Sequence, residues 1–237
     1  MEEKESKSFS KEEIIKLGLI GGVLIIMLIY SIFSSNNFEK KIINDTPNTN
    51  IDEMFAPINN NYTLKINKMS SGKDETIEYI TDGTLKLYNV IGKNTGYILY
   101  NNKLYSVESK NTKIKEVKDK PEFINDSFAN IDFIKKITKL CDLKNVKMNS
   151  LDCYISVRDY MEEYNVFFNT NYIYDGEDNI IFTFKHGSII NEITVDYSLI
   201  NNIRNNKNDL IYNMRIENVN GNDYSNLFNI FSNTLKK

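Results

Sequence analysis

The chain has a single histidine, His186, in the stretch FKHGSII. A Ser-His-Asp hydrolase would have to use it, and no G-x-S-x-G turn accompanies it. Followed directly by Gly187, it reads as a turn residue. Carboxylates gather at Glu162 and Glu163 in YMEEY, and at Asp175, Glu177 and Asp178 in YDGEDN. The second group offers the hard oxygen ligands that Ca²⁺ prefers, but lacks the D-x-[DN]-x-[DN]-G spacing, and reads as a solvated turn. No glycine-rich phosphate loop is present. No catalytic residue, cofactor or metal ligand is therefore assigned, and the chain is not expected to be an enzyme.

Two cysteines, Cys141 and Cys153, stand about a dozen residues apart. A disulfide between them would contribute roughly 3 kcal/mol through loop closure. Two buried thiols packing as small apolar groups are the alternative. The chain is rich in aromatics, with 15 Tyr and 13 Phe, many in strand-like runs. Such residues form the core of a one-sided sheet or line an apolar cavity beneath a helix.

These residues need a scaffold, and the chain outlines one. Of 237 residues, the run from Leu17 to Ser35 carries no charge. As a helix it just spans a hydrocarbon core of roughly 30 Å. It is longer than the apolar part of a secretory signal and lacks a small-residue cleavage site, so an uncleaved anchor is expected. Lys4, Lys7, Lys11 and Lys16 precede it, while Lys40 and Lys41 follow. This bias places the N-terminus in the cytoplasm. The expected organisation is a cytoplasmic tail (1–16), a transmembrane helix in the lipid bilayer (17–35), a polar linker (36–60) and an extracytoplasmic domain (61–237). A net charge of −3 with mixed signs argues against a nucleic-acid partner.

Within the domain, alternation predicts strands at Tyr62–Lys68, IEYIT, TLKLYNVI, GYILY, KLYSV and KIKEV. Asp82-Gly83 and Asn101-Asn102 mark hairpin turns. A helix is predicted over about 128–141, with Ile131, Ile134, Ile137 and Cys141 at helical spacing and Asp126, Ser127 or Asn130 as its cap. Strands return at CYISV, YNVFFN, IIFTFK, SIINEITVD and LIYNMRIENV. A final amphipathic helix is predicted at Ser225–Leu235. The class is α+β, dominated by antiparallel sheet.

This layout resembles the LolA-like and LppX-like superfamily of extracytoplasmic lipoprotein carriers. The resemblance rests on YITDGTLKLYNV with GYILYNNKLYSV, on NIDFIKKITKL, and on INEITVDYS followed by IYNMRIENVN, and covers about residues 60–235. It implies a curved antiparallel sheet, an open half-barrel, with helices over a concave face that holds acyl chains. The membrane anchor distinguishes this chain from the carriers, which are free or lipidated. The implied function is a membrane-anchored binding domain for a lipid or other apolar ligand, with Ile131, Phe133, Ile134 and Ile137 as a lid over the cavity. The alternative is a structural or regulatory domain that binds another cell-envelope protein.

Overall fold

A computed structural model describes residues 50–93, 95–108 and 114–223. The strands are β1 (Asn61–Ser70), β2 (Lys73–Asp82), β3 (Lys86–Val90), β4 (Thr95–Tyr100), β5 (Lys103–Glu108), β6 (Ile114–Val117), β7 (Asp142–Lys147), β8 (Ser150–Ser156), β9 (Asn179–His186), β10 (Ile190–Asp196) and β11 (Leu210–Glu217). The helices are α1 (Ile51–Phe55), α2 (Ile131–Ile137), α3 (Val157–Phe168) and α4 (Ser198–Ile203). All strands join one large curved antiparallel sheet, in the order β6-β5-β4-β3-β2-β1-β11-β10-β9-β8-β7. The fold is α+β.

Turn chemistry explains the first half. Asn101 and Asn102 both have positive φ (47° and 61°), so a two-residue turn matching the strand twist links β4 to β5. Ser71 and Gly72 (φ 49° and 74°) do the same between β1 and β2, with Ser70 paired to Lys73. Asp82-Gly83 behaves differently from the tight hairpin that its sequence predicts. Only Gly83 has positive φ, and the Asp82 carboxylate accepts N–H bonds from Thr84 (2.9 Å) and Leu85 (3.0 Å), giving a longer loop.

The chain then crosses the sheet through residues 121–140 and rebuilds from the far edge inward. β11 closes the sheet against β1, with Leu64 opposite Ile216. The pairing that joins the halves thus connects the two ends of the domain. Strict alternation buries Leu151, Cys153 and Ile155 on β8, and Tyr212, Met214 and Ile216 on β11. These side chains and the helices form the main core. A smaller cluster (Ile80, Leu85, Leu87, Ile98, Tyr105 and Val107) is buried in the first half of the sheet. In register, Leu87 sits opposite Ile98 and Ile98 opposite Tyr105.

YNVFFN is helical, not a strand, and forms the end of α3. Its composition favours β structure, but Val157, Tyr160, Met161, Tyr164 and Phe168 recur at helical spacing. The Ser156 hydroxyl accepts from Asp159 N–H at the start, and Asn169 (φ 53°) ends the helix in the left-handed region. Burial of the 3.6-residue stripe outweighs local β preference.

The central helix is also shorter than 128–141. α2 is flanked by 3₁₀ turns at Ser127–Ala129 and Thr138–Leu140, and Asn130 is its cap, accepting from Phe133 N–H at 2.9 Å. Part of the expected linker is packed. Ile51, Met54, Phe55 and Ile58 are buried in the main core, and the Lys135 ammonium donates to the Ile58 carbonyl. Among the described residues the packing therefore already includes Ile51 to Ile58, ahead of residue 61, because these apolar side chains are spaced to cover the core. The apolar run 17–35 and the segment Ser225–Leu235 lie outside the described residues. Among the described residues no helix is long and apolar enough to cross a membrane.

Candidate functional site

In-register pairing of β1 to β4 lines up Leu64, Tyr79, Tyr88 and Tyr97 across one face of the sheet. Tyr62, two residues before Leu64 on the same face, packs on Tyr79 with centroids 5.7 Å apart, and Tyr79 packs on Tyr88 at 5.1 Å. The crossing segment lays Phe123 over this row, 6.4 Å from Tyr88 and 5.5 Å from Tyr97. Such offset and edge-on contacts suit aromatic quadrupoles.

Between the tyrosine row and the crossing segment lies an open cavity of about 360 Å³. Its floor includes Tyr62, Leu64, Ile77, Tyr79, Tyr88 and Leu99, and its roof includes Phe123, Ala129 and Ile131. Lys86, Asp126, Asn130 and Asp132 add polar groups to the lining. The size falls within the range of small-molecule sites. Of the four residues expected as a lid, only Ile131 lines this cavity. Phe133, Ile134 and Ile137 are buried in the main core, where Phe133 meets Tyr160, Tyr164, Phe167 and Phe168 at 5.1–5.6 Å. The tyrosine row was present in the sequence as alternation, but its assembly needed the register.

Asp126 marks one end of the cavity. Its carboxylate accepts from Phe128 N–H (3.1 Å) and from the Tyr212 hydroxyl. Burial raises its pKa, while Tyr212, Lys68 and the Phe128 N–H oppose the rise. Burial also pushes the Tyr79 phenol up to about 12 and raises Tyr62 and Tyr88. The same cause raises Tyr160, Tyr197 and Tyr212 in the main core.

Phenols whose folded pKa exceeds the unfolded value of 10.0 contribute stability that is fully present below pH 10 and lost as pH rises through their folded values. Alkaline titration is therefore expected to unfold the domain, with the buried tyrosines turning to phenolate together with the loss of circular dichroism. Complete phenolate formation in a domain that keeps its native spectrum would refute this.

The other sequence candidates lie apart from the cavity. Cys141 and Cys153 form a disulfide, with Cα atoms 5.0 Å apart, tying the start of β7 to β8. His186 ends β9, buried, with Nδ1 3.0 Å from the Gly187 carbonyl oxygen. Glu163 pairs with Lys136, and the Tyr174 hydroxyl bonds to Asp178 in the YDGEDN loop. Among the described residues no group of three or more His, Cys, Asp or Glu side chains is placed to hold a metal ion. No protein-family model matches this chain, and no curated protein matches it either.

Proposed function

We propose that this protein is a membrane-anchored extracytoplasmic binding domain for a lipid or other apolar ligand. In this reading residues 17–35 cross the bilayer with the N-terminus in the cytoplasm. The curved sheet acts as an open half-barrel of the LolA-like kind. The observation that carries the reading is the cavity of about 360 Å³ between the tyrosine row and the crossing segment. The floor of this open space, with Leu64, Ile77, Leu99 and aromatic faces, suits an alkyl chain, while Lys86, Asp126, Asn130 and Asp132 give the rest of the lining polar partners for the ligand's other end. The ligand contact then falls to Ile131 and the tyrosine row, while Phe133, Ile134 and Ile137 hold α2 in place.

A second reading rests on a different observation. At the end of α3 and just after it, Val166 (75 % exposed), Phe167 (39 %) and Ile173 (88 %) leave apolar surface in water. Such surface suits a non-catalytic domain that docks on another envelope protein.

Leu99→Trp separates the two. Leu99 is half-buried on β4 and lines the cavity, so an indole there fills the space without disturbing the main core. With the full chain in amphipol, wild type is expected to bind a fluorescent fatty-acid probe. The variant should bind at least about tenfold more weakly, a loss of about 1.4 kcal/mol, with little change in melting temperature. A wild-type chain that binds no apolar probe would sink the cavity reading and leave the docking domain.

A further inference from the structure

A second cavity, of about 260 Å³, lies at the other end of the same strand face. Along β1 the period of two puts Tyr62, Leu64, Ile66, Lys68 and Ser70 on one side of the sheet. The first three line the apolar cavity, and Lys68 and Ser70 line the second. Asp126 belongs to both walls. The crossing segment divides its side chains in the same way. Phe123, Ile124 and Ala129 face the apolar cavity, and Glu122, Ser127 and Phe128 face the polar one. The two spaces follow one another along β1, a single same-face step of about 7 Å apart.

The polar end is built around two cations. The Arg204 guanidinium stacks on Phe128 (4.6 Å) and Tyr164 (5.6 Å) and reaches the Ser127 hydroxyl at 3.4 Å. The Lys68 ammonium lies 5.9 Å from the Tyr212 ring centroid. Among the described residues neither cation closes an ion pair with a carboxylate. Two acids share the lining: Asp126, which accepts from Phe128 N–H and Tyr212 and also feels the Lys68 charge, and Glu122, which is exposed. Aromatic stacking fixes the guanidinium plane, and among the described residues Ser127 is its one hydrogen-bond partner, a geometry that favours an anion with several acceptor oxygens.

We propose that the two cavities act as one trough and take one anionic amphiphile, its alkyl chain over the tyrosine row and its phosphate-like head between Lys68 and Arg204. This rests on the apolar-ligand reading above and adds the class of head group. The anion and the chain belong to one molecule because the two compartments share Asp126 and one face of β1.

The test uses the full-length chain in amphipol. Dodecyl phosphate and dodecanol, each with a diazirine at the chain end, are photocrosslinked and the labelled peptides mapped. The expected label falls on β2 to β4, and the phosphate reaches half-maximal labelling at about tenfold lower concentration than the alcohol. Lys68→Gln and Arg204→Gln should each move the phosphate towards the alcohol's concentration and leave the alcohol unchanged. Arg204 also packs on Phe128, so the wild-type comparison and Lys68→Gln decide the matter if Arg204→Gln does not fold. Equal labelling by phosphate and alcohol in wild type would overturn the head site while leaving the apolar cavity standing. Displacement of dodecyl phosphate by micromolar inorganic phosphate would make the free anion the ligand and overturn the amphiphile. No cavity label from either compound would remove the apolar-ligand reading itself.

Discussion

Phe133→Ala is expected to lower the unfolding free energy by about 3–5 kcal/mol, the usual cost of emptying a large aromatic site in a packed core. Phe133 is 1 % exposed and touches four other rings, two of them at opposite ends of α3. Tyr160 is in turn held by Phe182 on β9 and by Tyr197 just after β10. Collapse into the vacated space is therefore restricted, which places the loss in the upper part of the range. Ile134→Asn should cost on the order of 2–5 kcal/mol for a related reason, because Ile134 is fully buried and an amide there would lack partners. Urea unfolding of wild type and both variants measures this. Changes under 1 kcal/mol would mean that α2 is loosely seated, and would restore a mobile lid as the role of these residues. Ligand binding should survive in any folded fraction, because neither side chain lines the cavity.

Removing the bridge is the second large effect. Cys141→Ala with Cys153→Ala frees a loop of sequence separation 12. The chain-entropy cost is about 3 kcal/mol. The bridge matters here because β7 is an edge strand with five of its six residues exposed, so little else holds it. The loss should therefore appear first as fraying of β7, visible as faster amide exchange there than in β8 or β9. Intact mass before and after reduction checks the bridge itself. A structural disulfide persists in an oxidising compartment. Two freely alkylated thiols in protein recovered from cells would count against both the bridge and the extracytoplasmic placement.

Aromatic richness serves two purposes that composition alone does not separate. In the second half of the sheet, Phe182, Phe184, Tyr197 and Tyr212 are completely buried against the helices. In the first half, Tyr79, Tyr88 and Tyr97 form a row that the crossing segment covers only in part. The helical layer accounts for the difference. α1, α2, α3 and α4 all contribute to the main core, while the tyrosine row receives Phe123 and Ile124 from a short 3₁₀ turn at Glu122–Asn125. A single turn fills less volume than helices, and the remainder is the cavity.

What the sequence determined by itself was local. Alternation over Tyr62–Lys68, GYILY and IIFTFK makes strands because one buried face rewards a period of two, and Asn101-Asn102 turns because asparagine tolerates positive φ. Asn130 caps α2 for the equally local reason that its side chain reaches an N–H three residues on. The tertiary structure decided whatever depended on residues far apart in the chain. YNVFFN became helical because its stripe, read from Val157 onward, had an aromatic core to pack on, and burial outweighed strand propensity. Residues 198–203 became a helix for the same reason, through Ile200 and the neighbouring Tyr197. The site lies wholly on this second level. Tyr79, Tyr88 and Tyr97 align only through strand register, and Lys68 and Arg204 line one cavity only because β11 returns to pair with β1 across most of the domain's length. Such contacts carry no local signal, since the loop-closure entropy that opposes them is offset only when the whole sheet forms.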